Sequence, residues 1–114
     1  MTVRELKEKG GFEVIEEGAA AKRVISGPYC CDLLSIAMGR APEGCAWVTV
    51  MGNINTLAVA ALTDAACIIL AEGIRLDDAA KQKAREQGIT VLGTSKPVFE
   101  AALTVYELLR GPEL

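Results

Sequence analysis

Three apolar runs in the second half of the chain, Ala46–Met51, Cys67–Ala71 and Ile89–Leu92, are each followed by a helix-like stretch: Asn55–Leu62, Asp77–Gln87 and Pro97–Leu109. Parallel strands cannot be joined by a tight turn, so this alternation implies right-handed strand–helix–strand crossovers. The expected fold class is therefore α/β, a small layered domain with a mainly parallel sheet. A chain of 114 residues has room for one such domain, taken as residues 1–114, and not for two.

The first half reads less regularly. Thr2 with Glu5 has the capping-box form and Gly10–Gly11 a stop, which predicts a helix over 3–9. Phe12–Ile15 and Lys22–Ser26 read as two short strands. Gly27–Pro28 punctuates the chain, and Tyr29–Met38 then places Leu33, Leu34, Ala37 and Met38 on one helical face before Gly39 ends it. Ala41–Gly44 is a loop.

The three later helices differ. Asp77–Gln87 has acids at its start and bases nearer its end, as a solvent-facing helix prefers. Asn55–Leu62 carries no charge and many small side chains, so it is either deeply buried or part of a subunit interface. The last helix has Pro97 near its first turn, Ser95 as a hydroxyl cap and Gly111–Pro112 as its stop. Phe99, Leu103, Tyr106 and Leu109 or Arg110 follow one of its faces.

Composition removes several function classes. Half of the residues are apolar (51%) and 24% are charged, which argues against disorder, and aromatics at 4% argue against a thin β sandwich. Histidine is absent, so no Ser-His or Cys-His pair can form within one chain. The net charge is -3 with Lys and Arg scattered, which gives no footprint for nucleic acid. No apolar window is long enough to span a membrane and no signal segment leads the chain, so a soluble, cytoplasmic protein without a membrane partner is expected. Cys30 and Cys31 are adjacent, and Cys45 and Cys67 sit at the edges of apolar runs; the expectation is small hydrophobes in a reducing compartment, with no disulfide framework. Trp47 reads as core packing. Neither a P-loop nor a Gly-x-Gly-x-x-Gly fingerprint is present, and no cofactor or metal is expected.

Chemistry in a parallel sheet gathers at the carboxyl ends of the strands, where loops converge and helix N-termini offer amides. Those loops are Met51–Asn55, Ala71–Ile74 and Gly93–Lys96. The candidate ligand-binding residues are Gly52, Asn53, Asn55, Glu72, Gly73, Thr94 and Ser95, with Lys96 as a further donor to a phosphate or carboxylate. The same residue types also cap helices and turn chains. No catalytic residue is assigned: Asp32, Glu43 and Glu72 are not paired at a spacing diagnostic of acid–base work, and Arg23 reads as an anion contact or a solvated edge.

Arg23–Gly27, Cys31–Ser35, Ala41–Gly44, Trp47–Thr49, Asn55–Ala60, Ile68–Gly73, Gly88–Ile89 and the closing helix together resemble the DRTGG domain family, over nearly the whole chain. The resemblance implies an α/β fold like that of the N-terminal domain of HPr kinase/phosphorylase. It also implies a regulatory, dimerising module, found alone or beside CBS domains in regulated pyrophosphatases and in long phosphotransacetylases, with no catalytic residues to carry over. The family's acidic-basic-Gly-Gly signature is reduced here to Lys22–Arg23 with Gly27–Pro28. Its histidine-containing approach to the uncharged helix reads Gly52–Asn55.

The expected function is a non-catalytic regulatory or ligand-sensing module, a homodimer joined through Asn55–Leu62 and the Met51–Gly52 loop. Its ligand would be a small anionic or nucleotide-type metabolite, or its partner a protein. The alternatives are a phosphotransfer-related enzyme using Ser95 or Lys96 and a redox or iron–sulfur accessory using Cys30, Cys31 and Cys45.

Overall fold

The structure is a computed structural model that describes residues 1–19 and 21–111; Ala20 and the Pro112 stop signal lie outside the described residues. Ten elements follow in order: α1 (Val3–Gly10), β1 (Glu13–Glu16), β2 (Gly27–Cys30), α2 (Leu34–Arg40), β3 (Cys45–Thr49), α3 (Ile54–Thr63), β4 (Cys67–Leu70), α4 (Asp78–Gln87), β5 (Thr90–Gly93) and α5 (Val98–Arg110). The five strands form one sheet in the order β1-β5-β4-β3-β2. β2 to β5 are mutually parallel, and β1 closes the far edge antiparallel to β5. Among the described residues no helix is long and apolar enough to cross a membrane.

The winding follows from handedness. Each crossover from β2 through β5 moves to the next strand in the same direction, and right-handed crossovers of one direction put their helices on one face. α2, α3 and α4 accordingly share a face, with α3 packed between the other two. α5 lies across β2 and β3 on the opposite face, with α1 against it. The central strands β3, β4 and β5 are buried at every position, as strands covered on both sides must be. Ala46, Val48, Cys67 and Ile69 point toward α1 and α5, while Trp47, Ile68 and Leu70 point toward α2, α3 and α4.

The N-terminal helix holds the expected capping box: Thr2 Oγ1 accepts from Glu5 N at 3.2 Å, and Glu5 Oε1 accepts from Thr2 N at 2.9 Å. The strand expected over Lys22–Ser26 does not form. Its backbone serves α1 instead: Val3 N donates to Arg23 O, Arg4 N to Ala21 O, and Ile25 N to Met1 O, leaving only an isolated Thr2–Val24 bridge. The strand is Gly27–Cys30, at the sheet edge, where a proline without an N–H is tolerated. The following helix therefore starts at Leu34 rather than Tyr29 and runs through Gly39 to Arg40. It buries only Ala37; Leu33 and Met38 are exposed.

α5 carries the expected stripe on its outer side. Ala101 and Val105 are its buried residues, and Phe99, Leu103 and Tyr106 face solvent. Small residues on the inner face let the helix approach the sheet closely. Its N-cap is Pro97, with no side-chain cap, so Ser95 does not fill that role.

One polar strap holds the amino-terminal edge. Arg23 meets Asp64, the left-handed C-cap of α3, through Nη1–Oδ1 at 3.0 Å and Nη2–Oδ2 at 2.9 Å, and donates to the Asp64 carbonyl at 3.1 Å. The Arg23 hydrogen bond holds the Asp64 carboxyl below its usual range, and the backbone N–H of Thr2 does the same for Glu5. Both folded-state values are depressed. Their stabilisation is thus present above the unfolded pKa values, about 4, and is lost as pH falls through the folded ones. The melting temperature should drop as pH is lowered below about 4, and Asp64→Asn should flatten part of that fall. Parallel Tm–pH curves for the two proteins would refute the Asp64 contribution.

Candidate ligand-binding site

The four parallel strands end at one edge, which gathers the loops 31–33, 50–53, 71–77 and 94–97. Because β4 lies between β3 and β5, three of these loops are in direct contact. Gly52 sits so close to the next loop that a Cβ there would lie 2.6 Å from Arg75 O. Farther along, Glu72 N donates to Lys96 O and Gly73 N to Thr94 O, both at 2.9 Å. Residues 51–53, 72–75 and 94–96 thus form one continuous rim. Gly52, Asn53, Glu72, Gly73, Thr94 and Ser95 are brought together on it, with Asn55 at the start of α3 beside them.

The rim is rigid because its backbone is already engaged. Asn53 Oδ1 accepts from Asn55 N at 2.9 Å and from Thr56 N at 3.2 Å, capping α3. Glu72 and Gly73 both hold positive φ, 60° and 72°, a turn in which glycine is unstrained and glutamate is not. Thr94 Oγ1 accepts from Lys96 N at 3.1 Å. The amides of Asn55, Thr56, Glu72, Gly73 and Lys96 are therefore already engaged within the rim. Asn53 caps α3, and Thr94 closes the turn that leads to α5.

Further donors are side chains and one helix end. Asn55 and Ser95 are exposed. Lys96 Nζ turns back along α5 to Thr104 Oγ1 at 3.3 Å, and Arg75 reaches Glu13 of β1 at 2.7 Å. α5 begins at the rim with no side-chain cap, whereas α3 and α4 are capped by Asn53 and Asp77. The hydroxyl of Thr56, buried in the first turn of α3, has no hydrogen-bond partner among the described residues.

The β2 end of the edge is closed by Asp32. Its Oδ1 accepts from Thr49 Oγ1 at 2.7 Å and from Val50 N at 3.0 Å, while Trp47 Nε1 donates to Cys31 O at 3.0 Å. Asp32 is a strap between β2 and β3, a role its sequence neighbourhood does not reveal. Glu43 lies at the opposite edge, where its carbonyl accepts from Ser26 Oγ at 2.8 Å. Arg23 is there too, in its pair with Asp64. Two concavities also lie off the rim: one of about 450 Å³ beside Met1, Lys9 and Thr104, and one of about 150 Å³ beside Arg23, Asp64 and Gln87.

The cysteines do not converge. Cys30 is at the carboxyl end of β2, paired with Val48, while Cys45 starts β3, paired with Gly27. Three residues of strand, about 10 Å, separate the two levels. Burial pushes the Cys45 thiol up to about 11 and the Cys67 thiol to about 12, so both are protonated core groups at neutral pH. Burial also raises Cys30, the opposite of what an activated thiol needs. The iron–sulfur alternative therefore lacks its cluster of ligands.

No family model matches the chain, and no curated protein matches it. Among solved structures it is similar to the CBS and DRTGG domains of the regulatory region of Clostridium perfringens pyrophosphatase, a crystal structure complexed with the activator diadenosine tetraphosphate. The TM-score is 0.74 at 13% sequence identity, covering 91% of this chain and 45% of that chain. The fold is thus that of a DRTGG-like α/β domain. The chain spans less than half the length of the regulatory region it resembles.

Proposed function

We propose that residues 1–114 form a single non-catalytic, cytoplasmic regulatory domain that binds a small anionic or nucleotide-type metabolite at the rim and self-associates. The observation that carries this reading is the rim itself. Three contiguous loops at the carboxyl edge of a parallel sheet have their backbone fixed internally and present Asn55, Ser95, Lys96 and the uncapped start of α5 outward. A pre-formed surface loses little entropy when it binds. The likeness to a regulatory region crystallised with a dinucleotide activator supports the same ligand class. Four unpaired cysteines suit a reducing compartment.

A thermal-shift series with diadenosine tetraphosphate, mononucleotides and phosphorylated metabolites tests this. A ligand that binds only the folded state adds about 2.7 kcal/mol at a hundredfold excess over its dissociation constant. The expected result is a competable rise in Tm that Ser95→Ala and Lys96→Ala reduce. No shift from any of these compounds would overturn the metabolite reading and leave a protein partner as the ligand.

A further inference from the structure

The outer face of α5 carries Phe99, Leu103, Tyr106 and Arg110, spaced 4-3-4 over three turns. Phe99 is 70% exposed, Tyr106 49% and Leu103 37%, while Ala101 and Val105 take the opposite face onto the sheet. The Arg110 guanidinium lies 5.4 Å from the centroid of the Tyr106 ring. This spacing is the seam by which one helix packs along another, and three large apolar side chains aligned in solvent mark an interaction surface.

We propose that this seam pairs with a second copy of the chain, α5 lying antiparallel to α5 about a twofold axis between Leu103 and Tyr106. The inference rests on the self-association part of the proposed function and places the contact on α5 instead of α3. The spacing accommodates a second copy because 4-3-4 reads the same in both directions, and the charges flanking it choose that partner. One antiparallel register then sets Leu103 opposite Tyr106 of the second copy and Phe99 opposite Arg110 of the second copy, leaving no seam residue unmatched. A twofold interface requires this self-complementarity.

Charge favours the same register. Glu100, next to Phe99, comes beside Arg110 of the second copy, and symmetry makes that pair twice. A parallel arrangement would instead bring Arg110 against Arg110. The outward residues of α3, Ile54 and Leu62, belong to a helix without a charge, so nothing there sets a direction. Its small side chains are explained by its place between α2 and α4. A seam of four residues on one helix makes a weak, concentration-dependent dimer the expected form.

Sedimentation velocity on the full chain, from low to high micromolar concentration, tests the proposal. The wild type should show a concentration-dependent monomer–dimer equilibrium, and Leu103→Glu should lower the association constant by at least about tenfold. Glu100→Arg and Arg110→Glu should each weaken association alone, and an equimolar mixture of the two should recover it, because the reversed charges then pair across the axis. All three positions are exposed, and circular dichroism confirms folding. Should Leu103→Glu lose its helix content, the mixing experiment decides alone. A wild type that stays monomeric overturns the proposal. So does association that ignores Leu103→Glu in a folded protein, which would place the contact on another face such as α3, or a mixture no stronger than its components. The ligand-induced thermal shift is read separately on the wild type, so failure of the interface and failure of ligand sensing are distinguishable.

Discussion

Replacing Trp47 by alanine is expected to cost the domain about 3–5 kcal/mol, a large part of the roughly 5–15 kcal/mol that holds a domain of this kind folded. Trp47 is the largest fully buried side chain, in the middle of β3 and facing the α2–α4 layer. Alanine leaves a cavity that strands fixed on both sides cannot collapse to fill. It also orphans the Cys31 carbonyl, which accepts from the indole N–H at 3.0 Å. Trp47→Phe separates the two effects, since it keeps most of the volume and loses only the donor, at about 1–3 kcal/mol. Urea unfolding followed by circular dichroism measures both. A loss below about 1 kcal/mol for alanine, outside the range for an aromatic core truncation, would mean that the indole is not the packing centre described here.

Gly52→Ala should destabilise by about 1–3 kcal/mol and disturb the rim as well. The added Cβ would meet the Arg75 carbonyl oxygen at 2.6 Å and Ile74 Cγ2 at 3.1 Å. A side-chain methyl can rotate away, but the carbonyl belongs to a loop whose start is held by hydrogen bonds to Thr94 and Lys96. The 74–75 segment must therefore shift. The expected observation is a lower denaturation midpoint together with changed amide resonances over 72–75. Unchanged stability and spectra would show that the two loops are not in contact.

The parallel core was legible because burial on both faces leaves largely apolar runs around Trp47, Ile68 and Val91, and because helices of crossover length separate them. The edges were not. Gly27–Pro28 looks like punctuation, and only the place of β2 at the end of the strand order makes proline acceptable in it. On α5, spacing reveals two stripes without saying which one is inward. The sheet takes Ala101 and Val105, and the larger Phe99, Leu103 and Tyr106 are left outside.

The candidate site divides in the same way. Glycine and short polar residues at 51–55, 71–74 and 93–96 marked the loops that form the rim. The fate of their amides depends on which strands are neighbours. Glu72 and Gly73 find Lys96 and Thr94 only because β4 lies beside β5. Asp32 was equally opaque, since its partners Thr49 and Val50 lie beyond an intervening helix.

The most direct test of ligand sensing at the rim is an amide chemical-shift titration of the full chain with diadenosine tetraphosphate, followed by the mononucleotides. Saturable changes concentrated at 51–55, 72–75 and 94–99 are predicted. Saturable changes confined to the amino-terminal edge around Arg23 and Asp64, or no changes at any concentration, would contradict it.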